Sequence, residues 1–110
     1  VFPIPLDRLD EYRRLAAAAA EIWKEHGALE YRELIGDDLE LEGTRSFTEL
    51  LAPTQGETIV FGWISFDSRE ARDLAGAKVA ADPRMVELVE SSNSGFDAGK
   101  MAFGGFRSLL

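Results

Sequence analysis

His26 is the only histidine of this 110-residue chain, and it lies in the stretch IWKEHGALEY, just ahead of Gly27 and between Trp23 and Tyr31. An imidazole is the side chain best suited to move protons near neutral pH, as a general acid/base or as a hydrogen-bond group on a ligand. The competing reading is structural: a histidine at a helix end can tie that end to a backbone carbonyl. Tyr31, Phe47, Phe61 and Trp63 are the aromatics placed to wall an apolar cavity for a small aromatic or aliphatic molecule, and the same residue types also serve as plain core. Asp97 and Lys100 flank the approach to the last segment. They could clamp a ligand carboxylate or simply pair with each other at the surface.

Other chemistries lack their residues. There is no cysteine, which excludes disulfides, zinc–thiolate sites and iron–sulfur ligation. No HExxH pair, paired-histidine spacing or Walker-type glycine loop occurs, so no metal and no cofactor are expected. His26 as an axial haem ligand has no second feature to support it. Ser46, Ser65 and Ser68 sit in no nucleophile elbow, which argues against a serine hydrolase. A formal charge of -8 repels phosphate backbones, so no nucleic acid is expected as partner. No run approaches the roughly 20 apolar residues of a membrane span. These features together predict a soluble, cytoplasmic protein.

The elements that must position these residues follow from periodicity and punctuation. Phe2 to Pro5 reads as the end of a strand, because its two prolines exclude a helix and suit a sheet edge. The chain opens on VFPIP without a methionine, so the first strand is expected to be incomplete. A long helix follows, capped by Asp7 and ended by Gly27, with Leu9, Tyr12, Ala16, Ala19, Trp23 and His26 on one stripe. Leu29 to Ile35 reads as a strand, and Arg45 to Leu51 as another extended piece. Thr58 to Phe66 is the strongest strand, rich in β-branched and aromatic residues. Asp67 and Glu70 match a capping box for a helix from Ser68 to Ala81, with Ala71, Leu74, Ala75 and Val79 facing inward. Asp82 and Pro83 read as cap and first residue of a further helix through Val89. Arg69, Arg72, Asp73, Asp82 and Arg84 are taken as caps and solvated faces. A loop then leads to KMAFGGFRSLL, predicted as the final strand, where Gly104 and Gly105 let backbones approach closely.

This order predicts one α+β domain over residues 1–110, a ferredoxin-like split βαβ with an antiparallel sheet covered by helices on one face. The strand at 58–66 carries Ile59, Phe61 and Trp63 on one parity and Val60, Ile64 and Phe66 on the other, so both sheet faces are apolar. Two helices cannot cover both. A homodimer with sheets face to face is the economical solution, and packing under the long loop at 36–46 is the alternative.

The blocks HGALEY, FGWISFDSREARD, KVAADPRM and FDAGKMAFGGF, preceded by IPLDRLDEYRRLA, together resemble the YbaA-like family (domain of unknown function 1428) of small bacterial proteins, and the resemblance spans almost the whole chain. Within it, Gly76 stands where family members often have asparagine, and FDAGKM replaces an FDGKRM-like motif. The resemblance implies the dimeric α+β barrel superfamily, which includes cofactor-free monooxygenases of quinol-type substrates, isomerases, haem-dependent enzymes and ligand-sensing domains. That range does not select a chemistry. The expectation is therefore a homodimer binding a small apolar or aromatic molecule between sheet and helices, with His26 as acid/base group and Tyr31, Phe47, Phe61, Trp63, Asp97 and Lys100 around the ligand. Turnover would be monooxygenase-like or isomerase-like. The alternative is a non-catalytic ligand-binding or stress-related interaction module.

Overall fold

The prolines of VFPIP hold the first residues extended, and in a computed structural model that describes residues 1–110 they form β1 (Phe2–Pro5) at the border of a three-stranded antiparallel sheet. After a 3₁₀ turn at Leu6–Arg8 come α1 (Leu9–Glu25), β2 (Glu30–Ile35), α2 (Phe47–Leu51), β3 (Glu57–Ser65), α3 (Arg69–Ala81) and α4 (Pro83–Ser91). The strand order is β1-β3-β2, so the longest strand lies in the middle. Its register pairs Phe2 with Val60 and Ile4 with Thr58 on one side, and Tyr31 with Ile64, Glu33 with Gly62 and Leu34 with Phe61 on the other.

Side chains alternate across a strand, so this register sorts the sheet into two faces. Phe2, Ile4, Val60, Tyr31 and Glu33 lie on one; Pro3, Ile59, Phe61, Trp63 and Leu34 lie on the other. Helix α1 covers the first. Tyr12 joins Phe2, Ile4 and Val60 in the buried core, with Leu9, Leu15 and Ala16 packed around them. The rings of Phe2 and Tyr12 meet edge to face at 5.4 Å, and Phe96 closes on Phe2 at 5.0 Å. Small alanines let the helix backbone lie near the sheet, and Ala19 and Ile22 are both buried. No helix is long and apolar enough to cross a membrane.

Several local expectations change. Asp7 lies within the 3₁₀ turn, and α1 starts from Arg8 without a side-chain cap. Ser68, rather than Asp67, caps α3: its Oγ accepts from the Ala71 N–H at 3.0 Å. Leu74 is 58% exposed because Ala75 and Val79, four residues apart, are the positions of α3 turned to the fold. The segment read as extended at 45–51 is instead helix α2. Ser46 Oγ accepts from Glu49 N–H at 3.1 Å, and Ala52, at φ 44°, ends the helix in the left-handed region. The S-x-x-E spacing from Ser46 to Glu49 is the cap signal that outweighs the local β-propensity.

The final strand also departs from expectation. The segment forms a 3₁₀ turn at Ala98–Lys100 and then continues without regular structure. Its one sheet-like contact is a reciprocal pair of bonds between Val1 and Ala102, at 2.9 and 2.8 Å, the pattern of an antiparallel bridge. Past Ala102 it meets no strand, and Phe103, Phe106, Leu109 and Leu110 stand exposed.

Two glycines separate backbone demand from tolerance. Gly95 has φ 79°, and a Cβ there would lie 2.8 Å from Pro5 Cγ, whereas Gly76 in α3 has open space around it. Gly95→Ala should lose about 1–2 kcal/mol or more through left-handed strain and overpacking. Gly76→Ala should gain about 1 kcal/mol from helix propensity. Urea denaturation of the two variants checks both signs.

Candidate functional site

At the end of α1, His26 Nε2 lies 2.8 Å from Asp82 Oδ2, across the start of α4. Asp82 is there because it caps α4, its Oδ1 accepting from the Arg84 N–H at 2.9 Å, with Pro83 fixing the first helical residue. The Arg84 guanidinium adds bonds from Nε and Nη2 to the same carboxylate at 3.2 and 2.8 Å, and Nη2 also donates to Glu25 on α1 at 2.6 Å. Hydrogen bonds from Arg84 first, and His26 second, hold the Asp82 carboxyl well below the ordinary carboxylate range. Arg84 is raised in turn by Asp82 and Glu25, and Glu25 is lowered by Arg84. The histidine bonds a side-chain carboxylate, not the backbone carbonyl that the structural reading supposed. The pair has the base-and-orienter form of hydrolytic sites, but no serine or threonine hydroxyl bonds the ring. The network's evident work is to join the C-terminal end of α1 to the N-terminal end of α4.

A second cluster lies between α1 and the sheet. Tyr31 and Glu33 are two residues apart on β2 and so share the helix-covered face. The Tyr31 hydroxyl donates to Glu33 Oε1 at 3.1 Å, while Oε2 is buried with no hydrogen-bond partner. Tyr12, from α1, flanks the carboxylate and brings a second hydroxyl to hydrogen-bond with it. Burial pushes the Glu33 carboxyl up, against hydrogen bonding from Tyr12 and Tyr31 that favours the ionised form. Desolvation also raises the hydroxyls of Tyr12 and Tyr31, with Glu33 adding to both. Gly62, opposite Glu33 on β3, leaves a space beside the carboxylate: a Cβ would sit 3.5 Å from Oε1. At the outer edge of β2, a recess of about 440 Å³ is lined by Lys24, Leu29, Glu30, Tyr31, Arg32 and Glu33.

The aromatics expected to share one cavity are divided by the sheet. Tyr31 faces α1, whereas Phe61 and Trp63 face away from it. Phe47, on α2, meets Phe61 at 6.4 Å in an edge-to-face contact. Both line a groove of about 390 Å³ with Leu34, Ile35, Leu39 and Ile59, between the open sheet face and the segment that follows β2. Trp63 lies further along the same face and is 52% exposed. Asp97 caps the 3₁₀ turn by accepting from Gly99 N–H at 2.9 Å, and forms no ion pair with Lys100. The pair belongs to neither cluster. Sequence reasoning passed over Glu33 and the part Tyr12 plays with it. The available signal was a carboxylate on the same strand parity as Tyr31, where a core-facing residue belongs.

The two carboxylates have opposite linkage. The Asp82 carboxyl is depressed in the fold, so its contribution is present above the unfolded value of about 3.9 and is lost as pH falls through the folded value. Asp82→Asn should lower the denaturation midpoint at pH 7, and the deficit should shrink progressively below about pH 4. Glu33 is raised, so the fold binds its proton more tightly than the unfolded chain does; the resulting stability is full below about pH 4.3 and lost as pH rises through the folded value. Glu33→Gln should therefore stabilise the protein more at pH 8 than at pH 4. Thermal melts of both variants across pH 2–8 measure these differences.

The sequence has relatives that match it end to end. The proteins called "Uncharacterized protein YbaA" from Escherichia coli K12, Escherichia coli O157:H7 and Shigella flexneri are each 39% identical to it over 110 residues, covering 100% of this chain and 92% of theirs. The profile of the family described as "Protein of unknown function (DUF1428)" matches residues 1–98. With Tyr12, Tyr31, Glu33 and Asp82 all inside that span, the chain belongs to the DUF1428 family.

Proposed function

We propose that residues 1–110 form one domain on the ferredoxin-like split βαβ plan, acting as a homodimer of the dimeric α+β barrel kind that binds a small apolar or aromatic molecule. The observation that carries this reading is the open sheet face. Leu34, Phe61 and Trp63 are 52%, 41% and 52% exposed on the side away from α1, and Phe47 adds to the same apolar surface. A contiguous apolar patch of this sort is costly in water and typical of an interaction site. A second copy turned about a two-fold axis offers a matching patch, because an isologous interface pairs a surface with itself.

The groove beside Phe47 and Phe61 is of the size that small-ligand sites occupy. It is open on the side where the partner's sheet would lie, so dimerisation would supply its missing wall. A cytoplasmic setting agrees with the absence of cysteine. Within this reading, His26 is the acid/base candidate, but its Nε2 is already engaged by Asp82. That engagement favours ligand binding without turnover, the non-catalytic form of the proposal, over an oxygenase-like or isomerase-like reaction.

Light scattering at micromolar concentration should return twice the 12.1 kDa of one chain. Phe61→Arg should weaken association by about 2 kcal/mol or more, as loss of a central aromatic anchor does. The dye 1-anilinonaphthalene-8-sulfonate, followed by its own fluorescence, should bind the dimer saturably and lose affinity in Phe47→Ala. A monodisperse wild-type monomer would overturn the dimer, and dye binding unchanged in Phe47→Ala would overturn the groove as the ligand site.

A further inference from the structure

We propose that the groove beside Phe47 and Phe61 takes a hydrophobic cation, a small primary ammonium carrying an aromatic or aliphatic group, with Asp37 and Asp38 as its counter-charges. The inference rests on the groove reading given above and adds the chemical class of the ligand.

Three observations lead there. First, the segment that supplies the carboxylates is anchored on both sides. The Gly36 N–H extends the β2–β3 ladder by donating to the Ile59 carbonyl at 2.8 Å. The Leu39 side chain folds back over Gly36, where a Cβ would lie 2.9 Å from Leu39 Cδ1. Asp37 and Asp38 are the two residues between these fixed points, and both line the groove while staying exposed. Second, their charge is uncommitted. Neither forms an ion pair, and Arg45, the next cation along the segment, is turned to Glu49 at 4.0 Å. The amino group of Val1, the one cationic group in the lining, donates to the Ala102 carbonyl at 2.9 Å and pairs with neither carboxylate. Third, the rest of the lining is apolar. Leu34, Ile35 and Ile59 offer a surface for an apolar body, and the rings of Phe47 and Phe61, 6.4 Å apart, add the attraction of aromatic faces for a cation.

Pockets of this kind bind through apolar walls and take their selectivity from the few charged groups among them. An anion would meet both carboxylates and a chain of net charge -8, whereas a cation is drawn by each. No third histidine, cysteine or carboxylate joins Asp37 and Asp38 as the oxygen-rich shell of a metal ion demands, so the donor set suits an organic cation.

Phenethylamine, 2-phenylethanol and 3-phenylpropionate are the probes: a cation, a neutral molecule and an anion of similar shape at pH 7. Titrated into ¹⁵N-labelled protein, the amine should shift the amides of residues 36–39, Phe47 and Phe61 saturably. It should bind about fivefold more tightly than the alcohol, the margin of a good exposed ion pair. That margin should shrink in about 0.5 M sodium chloride, and the propionate should bind weakest. Combining Asp37→Asn with Asp38→Asn should bring the amine down to the affinity of the alcohol, leave the alcohol unchanged, and strengthen binding of the anilinonaphthalene sulfonate, whose charge has the opposite sign. Equal affinity of amine and alcohol for the unaltered protein, a margin unchanged in the asparagine variant, or amine shifts confined to residues outside the groove would each overturn the proposal. If dye binding still depends on Phe47 in that event, the groove stands and only its preference for a cation falls. Dye binding indifferent to Phe47 removes the groove itself, and this proposal with it.

Discussion

β3 is hydrogen-bonded on both sides, to β1 through Phe2↔Val60 and to β2 through Leu34↔Phe61, and so its alternation assigns every side chain of the sheet to a face. A slip of one residue in the pairing with β2 would move Glu33 and Tyr31 to the open side and bring Leu34 under α1, and one in the pairing with β1 would turn Phe2 and Ile4 out of the core. The apolar anchors on the covered face, Phe2, Ile4 and Val60 against Tyr12, make that slip expensive, because it would take buried rings and branched chains out of the core. The register of this one strand thus determines where the interior carboxylate lies, which aromatics are left uncovered, and where the groove beside α2 opens.

Two carboxylates show how environment, rather than residue type, decides chemical character. Asp82 has 8% of its side chain exposed yet is crowded with donors: a backbone N–H, a guanidinium and an imidazole converge on it. Its negative charge is stabilised and immobilised, and it acts as a rivet between helices. Glu33 has only the hydroxyls of Tyr12 and Tyr31 beside it, too little to offset desolvation, so burial dominates and its charge is disfavoured. The first spends all its hydrogen-bonding capacity inside the fold.

Much of this architecture was legible in the residues. The stripe through Tyr12, Ala16 and Ala19, the aromatic β-branched run of β3 and the Asp82–Pro83 start of α4 are strong local signals, and each produces the element it announces. What escaped was set by tertiary context. Phe47 looks like strand in an apolar run, but Ser46 and Glu49 close a cap that makes it helix. Trp63 and Tyr31 read as neighbours because both are aromatics on strands; only the register reveals that a sheet separates them. His26 was placed at its helix end correctly, but its partner is 56 residues away in sequence, a distance at which spacing carries no information. The final segment has the composition of a strand and lacks a strand to pair with.

β2 borders the sheet, and its outer backbone N–H and C=O groups have no neighbouring strand. A bare border of that kind invites copies to stack edge to edge into fibrils. Here the strand alternates Glu30, Arg32 and Leu34 on one face with Tyr31, Glu33 and Ile35 on the other, and Glu30 and Arg32 pair at 3.5 Å. Stacking identical strands in register would lay glutamate on glutamate and arginine on arginine at a spacing of about 4.8 Å. The charges that make this border a poor template for amyloid leave the open face, with its aromatics, as the sheet's remaining sticky surface.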